Sequence, residues 1–313
     1  MKLEPLSQGD MTLLSRLMDE EERAWLSELD WDYSPIHRIL ASFLEQRLLP
    51  GFMLSDRLRA CAYTYFLTYR HKGVIGTLYA APPAAQQAAD QILSRAIQSL
   101  QEMRSITRIE AQLIPLHGLD PGTTFSRHGF CCFLRHYMEL DLEVCEWPEP
   151  KHAMELTGWE TANLAPAAGV AFRSYRNQID ARISEDYTSE ANCESYLNSL
   201  VNNPGCGIFL PDSSFLAMDR HGVPCGFILT SRISAHAAMI PQISIHPAHQ
   251  GRGLGTILMR VALKRLRSAG FRSARLTVTH ENRRAYEWYQ RLGFRVRRDF
   301  GAYLWQAPSR EVA

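Results

Sequence analysis

Past residue 200 the apolar positions change period. Gly207 to Leu210, Ser214 to Met218, Gly226 to Thr230 and Ile240 to Ile245 are short β-rich runs, separated by turn residues such as His221-Gly222, and they predict a meander of strands. Beyond Pro247, Leu254, Leu258, Val261, Ala262, Leu266 and Ala269 recur at helical spacing, while Arg260, Lys264 and Arg267 share another face; Gly270 ends that helix. Ala274 to Thr279 reads as a strand by β-branching, and Ala285, Trp288, Tyr289 and Leu292 mark a further helix closed by Gly293. Ahead of the meander we expect a strand around Trp159 to Leu164 and helices around Val170 to Ile179 and Glu190 to Val201. The order predicts an α/β (α+β) fold in which helices pack on a mixed, largely antiparallel sheet.

The same landmarks occur twice. Leu78-Tyr-Ala-Ala-Pro82 lies over Ile243-Ser-Ile-His-Pro247 at an offset of 165, which also superposes Ile92-Leu93 on Ile257-Leu258. Phe125-x-x-x-Gly129-Phe130 then matches Tyr289-x-x-x-Gly293-Phe294 with a shift of one residue. A chain of 313 residues suits two domains of about 150. The run Glu143 to Lys151, with two prolines among acidic residues, sets the expected boundary, giving domains 1–148 and 149–313.

Composition narrows the class. With 46% hydrophobic and 21% charged residues the chain is globular. No apolar run approaches the roughly 18 residues of a membrane span, and we expect a cytoplasmic protein with no membrane partner. The seven cysteines form no CxxC pair and no zinc-type spacing with histidine, so we expect reduced thiols and no metal. Charge is uneven: residues 1–150 carry 14 basic and 20 acidic side chains, a net of −6, against a net of +7 in the remainder. Arg252 to Arg298 alone holds 13 Lys or Arg against Glu281 and Glu287, which suggests either an anionic ligand or a solvated basic face.

Within that cluster lies Gln250-Gly251-Arg252-Gly253-Leu254-Gly255, between a strand and a helix. Glycines let the backbone approach a ligand, and a helix N-terminus offers unpaired N–H groups, so the segment reads as a phosphate cradle. The dinucleotide pattern GxGxxG fails because Thr256 stands at its last glycine, and no Gly-Lys-Ser/Thr ending supports a P-loop.

Gln250, Gly253 and Gly255 match the Gln/Arg-x-x-Gly-x-Gly/Ala loop of the GCN5-related N-acetyltransferase (GNAT) superfamily, and Asn282, Ala285, Tyr289, Gly293 and Phe294 match its Asn-x-x-Ala-x-x-x-Tyr-x-x-x-Gly-Phe. The chain resembles that family from about 155 to 306, and its first half resembles it through the repeat. The resemblance implies a splayed central strand pair and acetyl-coenzyme A as co-substrate, with no metal. Ile243 and Ile245 would bond the pantetheine arm through their backbones, and the N–H groups of Gly251, Arg252, Gly253, Leu254, Gly255 and Thr256 would hold the pyrophosphate, Arg252 adding charge. Asn282 would bond the pantetheine or adjoining backbone, and it also reads as a helix N-cap. The Ile245 N–H would be the oxyanion donor and Tyr289 the acid that protonates the departing sulfur; Tyr289 also fits a core aromatic.

The strand Met239 to His246 lacks the carboxylate that many relatives carry there, leaving His246, His280 and Glu281 as alternatives for the amine's base. In the first half Gln86 to Asp90 replace Gly251 to Gly255 and Phe125 replaces Tyr289, which implies an inactive copy. The tandem layout is similar to that of mycothiol synthase. We expect transfer to a primary amine of an unidentified small molecule or protein, the acceptor being met by Pro166 to Asp186, Ser231 to Met239 and Asp299 to Trp305. No nucleic-acid partner is expected, no motif speaks to oligomeric state, and a non-catalytic acyl-coenzyme A sensor or scaffold is the alternative.

Overall fold

Two of the one-residue interruptions in strand pairing lie 165 residues apart, and the site follows from them. In the computed structural model, which describes residues 1–83, 85–144 and 155–308, the chain divides into one unit of 1–135 with 299–313 and another of 136–298. Of the expected linker Glu143 to Lys151, residues 145–151 lie outside the described residues.

In the first unit β1 (Lys2–Pro5), α1 (Met11–Leu29), α2 (Ser34–Glu45), β2 (Gly51–Ser55), β3 (Ala60–Tyr69), β4 (Lys72–Ala80), α3 (Ala85–Glu102), β5 (Arg108–Leu113) and α4 (Gly122–Arg127) precede β6 (Cys131–Asp141). β1 to β4 are antiparallel in sequence order. Pairing of β3 with β4 runs from Tyr65↔Thr77 to Phe66↔Ile75, so Gly76 is bulged; a Cβ there would lie 2.1 Å from the Tyr65 ring. β4 and β5 are parallel only from Lys72↔Arg108 to Ile75↔Ala111, and past the bulge they separate. On the face that α3 covers, Ala88, Ile92, Leu93, Ala96, Ile97 and Leu100 recur at helical spacing against Leu54, Ala62, Ile75 and Ile109.

The second unit holds β7 (Glu155–Gly158), α5 (Leu164–Tyr175), α6 (Ile179–Ile183), α7 (Glu190–Asn202), β8 (Ile208–Phe209), β9 (Phe215–Met218), β10 (Pro224–Arg232), β11 (Ala237–Ile245), α8 (Leu254–Ser268), β12 (Ser273–Thr279) and α9 (Arg283–Arg291). Its sheet runs β7-β9-β10-β11-β12-β6, with β8 on β10. β10 meets β11 from Leu229↔Gln242 to Ser231↔Met239, so Ile240 and Pro241 oppose Thr230. Pro241, which has no N–H to give a ladder, occupies the bulge 165 residues after Gly76. β11 and β12 are parallel from Ala237↔Ser273 to Met239↔Arg275 and no further. The α8 residues Leu254, Leu258, Ala262 and Leu266 are buried as their spacing predicts, on the face opposite α5 and α7. The strand expected at Trp159 to Leu164 is instead β7, four residues earlier, and Leu164 already opens α5; Trp159 sits in the α5/α7 core.

The last strand, β13 (Arg295–Gln306), departs from the expected cut at 149. Its residues Gly301 to Gln306 pair antiparallel with Leu113 to Arg108 of the first unit, where Tyr303 stacks on Phe125 at 3.9 Å. β6 reciprocates, since its residues from His136 onward belong to the second unit beside β12. The exchange obeys the repeat: Ala307 N–H bonds the Thr107 carbonyl and Leu142 N–H the Arg272 carbonyl, each at 2.8 Å and each pair 165 residues from the other's counterpart. Among the described residues no helix is long and apolar enough to cross a membrane, and no group of three or more His, Cys, Asp or Glu that could hold a metal occurs.

Candidate functional site

Ladder alternation orients the backbone at the splay. His246 N–H bonds the Cys225 carbonyl at 2.9 Å, and the register Gly226↔Ile245, Phe227↔Ser244, Ile228↔Ile243 continues from it. Hydrogen-bonded pairs alternate with non-bonded ones in an antiparallel ladder, so Ser244 bonds β10 while Ile243 and Ile245 turn their N–H and C=O away, toward the gap that β12 has left. The Ile245 carbonyl takes a bond from Gln250 Nε2 at 3.0 Å, on the side of the glycine turn.

That turn is built by backbone conformation. Gly251 and Gly253 have φ of +75° and +85°, a region that side chains rarely adopt, and Gly253 caps α8. Gly255 is different, because a Cβ there would make only ordinary contacts with Trp288 and Ile245 at 3.5–3.6 Å. Two of the three glycines answer to the turn; the third keeps the first helical turn clear of side chains. Ile257 N–H is the first to reach back into α8, bonding the Gly253 carbonyl at 3.0 Å, so the preceding N–H groups stand outside the helical ladder. Unpaired donors at a helix start, flanked by cations, fit a pyrophosphate. Arg252 is exposed. Arg284, which sequence reading passed over, donates to Gln250 Oε1 at 3.0 Å and so stands over the turn; its place two residues after Asn282 in a basic run was the available signal. α9 is pinned there by Trp288, whose indole N–H donates to Thr256 Oγ1 at 3.2 Å.

Asn282 caps α9 through Oδ1, which accepts from Ala285 N–H at 3.4 Å, and its Nδ2 donates to Asp180 Oδ2 at 3.3 Å. Tyr289 is 7% exposed and packs edge-on to Phe294 in the α8 core. Two of the three alternatives for a base have structural occupations. His246 Nδ1 accepts from Ala248 N–H at 3.2 Å, capping the turn after β11, and burial, helped by Arg173 and His249, holds its imidazole below the usual histidine range. His280 Nδ1 lies 2.8 Å from His136 Nε2, and Glu281 is exposed. Gln242 stands on the α5/α7 side of β11. Its Oε1 accepts from Tyr187 OH and its Nε2 donates to Tyr175 OH, both at 3.1 Å.

In the first unit the matching turn is closed by protein. Gln86 accepts from Asp120 N–H at 2.8 Å and donates to the Asp120 carbonyl at 2.9 Å, while Asp90 takes the Thr124 hydroxyl at 2.7 Å. Burial pushes the Cys225 thiol up to about 11 and the Cys193 thiol up to about 12, which suits inert packing groups.

Residues 177–294 match the model of the acetyltransferase (GNAT) family. An N-acetyltransferase of Methanocaldococcus jannaschii is 33% identical over 89 residues, 26% of this chain and 39% of that protein. Mycothiol acetyltransferase of Gordonia bronchialis is 34% identical over 97 residues, 30% of this chain and 32% of that protein. The matched stretch thus spans well under half the length of either relative. Among solved structures, a tandem GNAT protein from the clavulanic acid biosynthesis pathway superposes with a TM-score of 0.66 at 16% identity, covering 98% of this chain and all of that one, and so shares the fold.

Proposed function

From the match of residues 177–294 to the model of the GNAT acetyltransferase family and the fold shared with a tandem GNAT protein, we propose that the chain is an acetyl-coenzyme A dependent N-acetyltransferase. It has one working site, in the second unit, and moves an acetyl group to a primary amine by direct attack. The observation that carries this is the end of β11/β12 pairing at Met239 and Arg275, which leaves the Ile243 and Ile245 backbone facing a gap that leads to the positive-φ glycine turn. Acetyl-coenzyme A would supply the thioester. The chain supplies an extended edge for the pantetheine arm, the N–H groups from Gly251 to Thr256 and the Arg284 guanidinium for the pyrophosphate, and the Ile245 N–H as a donor to the developing oxyanion. Tyr289 gives its proton to the departing sulfur. The first unit, its turn closed by Gln86 and Asp120, binds no coenzyme A. We read the protein as cytoplasmic, with neither nucleic acid nor membrane as partner.

Calorimetry with coenzyme A, followed by thiol release from acetyl-coenzyme A across primary amines, tests the reading. Binding of one equivalent and turnover of at least one amine support it, and absence of coenzyme A binding overturns it. The burial of Tyr289 and the lack of a carboxylate on β11 favour one competitor, an acyl-coenzyme A sensor, which binding without turnover would reveal.

A further inference from the structure

One buried acid near the splay has no part in the scheme above. Asp180, the second residue of α6, is 9% exposed. Its Oδ1 accepts from Thr279 Oγ1 at 2.6 Å and its Oδ2 from Asn282 Nδ2 at 3.3 Å. Both donors are neutral, and among the described residues no ion pair involves Asp180. A buried carboxylate ordinarily has a cation beside it, because the cost of removing the charge from water is otherwise unmet. Two hydrogen bonds also leave about half of its roughly four acceptor sites open.

Its position is informative. Thr279 ends β12, beyond the last residue paired with β11, and Val278 faces the α8 core, so strand alternation turns Thr279 to the α5/α7 side. Gln242 and Ser244 present their side chains on that same side of β11, hydrogen-bonded to each other at 2.9 Å. Gln242 fixes the hydroxyls of Tyr175 and Tyr187, whose rings stack at 4.1 Å. Burial, then the neighbouring Tyr196 and Tyr175 and the Asp180 charge, push the Tyr187 hydroxyl up. An acid held by two neutral donors, on the side of the sheet where Gln242 holds these tyrosines, suits an alkylammonium group, which brings one positive charge and three N–H donors.

Resting on the acetyltransferase reading, we propose that Asp180 receives the ammonium group of the acceptor, and that the acceptor class is an aliphatic primary amine that binds as its cation and gives one proton to solvent before the neutral nitrogen attacks the thioester. Asp180 is then a specificity-determining group, distinct from those that hold coenzyme A.

The test uses the full chain, wild type and Asp180→Asn. Coenzyme A affinity is measured by calorimetry, and initial rates with acetyl-coenzyme A are measured with cadaverine, glucosamine and a lysine-bearing peptide. The expected result is an acceptor KM raised about tenfold or more in the variant, with coenzyme A affinity within about twofold of wild type and partial rescue by Asp180→Glu. An unchanged acceptor KM overturns the proposal. So does a parallel loss of coenzyme A affinity, which would mean that Asp180 acts only by holding Asn282. A wild-type chain that binds coenzyme A yet acetylates none of the three amines overturns the assigned acceptor class while leaving the coenzyme A site standing; no coenzyme A binding removes the acetyltransferase reading itself. Should Asp180→Asn fail to fold, Thr279→Val carries the test, with an acceptor KM raised about threefold expected and an unchanged one overturning the assignment.

Discussion

The two units share a bulge, a splay and an exchanged strand, and they diverge at the turn that follows. After Ile245 the chain passes through two positive-φ glycines into α8 with its first N–H groups outside the ladder. In the first unit, the corresponding stretch beyond Ala80 has its helix start tied to Asp120 and Thr124 by Gln86 and Asp90. The buried acids differ in the same sense. Glu21 in the first unit is 1% exposed and receives donors from Trp25, Tyr63 and Thr77, with the His37 ring beside it, so its acceptor capacity is used within the fold. Asp180 has two partners. The β-bulge recurs in both halves, while the side chains at the helix start and the surroundings of the buried acid differ between them.

The sharpest way to break this comparison is a charge at the turn. Gly253→Glu sets a carboxylate against the helix N-terminus where a pyrophosphate would lie, and coenzyme A affinity measured by calorimetry should fall by about a hundredfold or more. Gln87→Glu, one residue short of the matching place in the first unit, should leave it within about twofold. Equal losses would mean that both turns bind.

Next in size is Tyr289→Phe. If the hydroxyl protonates the leaving sulfur, kcat falls by about a hundredfold with coenzyme A affinity unchanged. If Tyr289 matters only for packing, as Phe125 does in the first unit, kcat stays level.

Much of this was legible because it is local. The period of Leu254, Leu258 and Leu266 predicts α8 and its buried face, and the glycines at 251 and 253 announce a turn whose φ values only glycine takes readily. The resemblance of Asn282 to Phe294 to a family motif fixed α9. What stayed hidden depends on distant pairing. Nothing in the period of Arg295 to Gln306 reveals that its end pairs with Arg108 to Leu113. Asp180 gives no sign in its own segment of meeting Thr279 and Asn282, some hundred residues later. The β7 strand was displaced because Trp159, a strand former by propensity, is used as a core plug ahead of α5.

Smaller effects sharpen the same contrast. Gly253→Ala places a side chain at φ +85° with open space around it, so the cost is backbone strain alone, about 1–2 kcal/mol by denaturant unfolding. The smallest effect concerns His246. Its folded-state pKa lies below the unfolded value, so the unfolded chain binds more protons in that window, and stability falls as pH drops from about 7 through the depressed pKa. His246→Asn, which keeps a side-chain acceptor for Ala248, should show a slightly smaller loss of Tm between about pH 7 and 5 than wild type. The first unit has no counterpart there, since Ala81 stands at the matching position.

The exchanged strand also constrains how the polypeptide is made. Arg108 to Leu113 emerge from the ribosome about 190 residues before Gly301 to Gln306, a delay on the order of 10–40 seconds at ordinary translation rates. Throughout that interval the nascent first unit presents β5 with an uncovered edge and Phe125 without the Tyr303 ring, a sticky intermediate of the sort that chaperones shield. The earlier half of this polypeptide is therefore the later one to be finished.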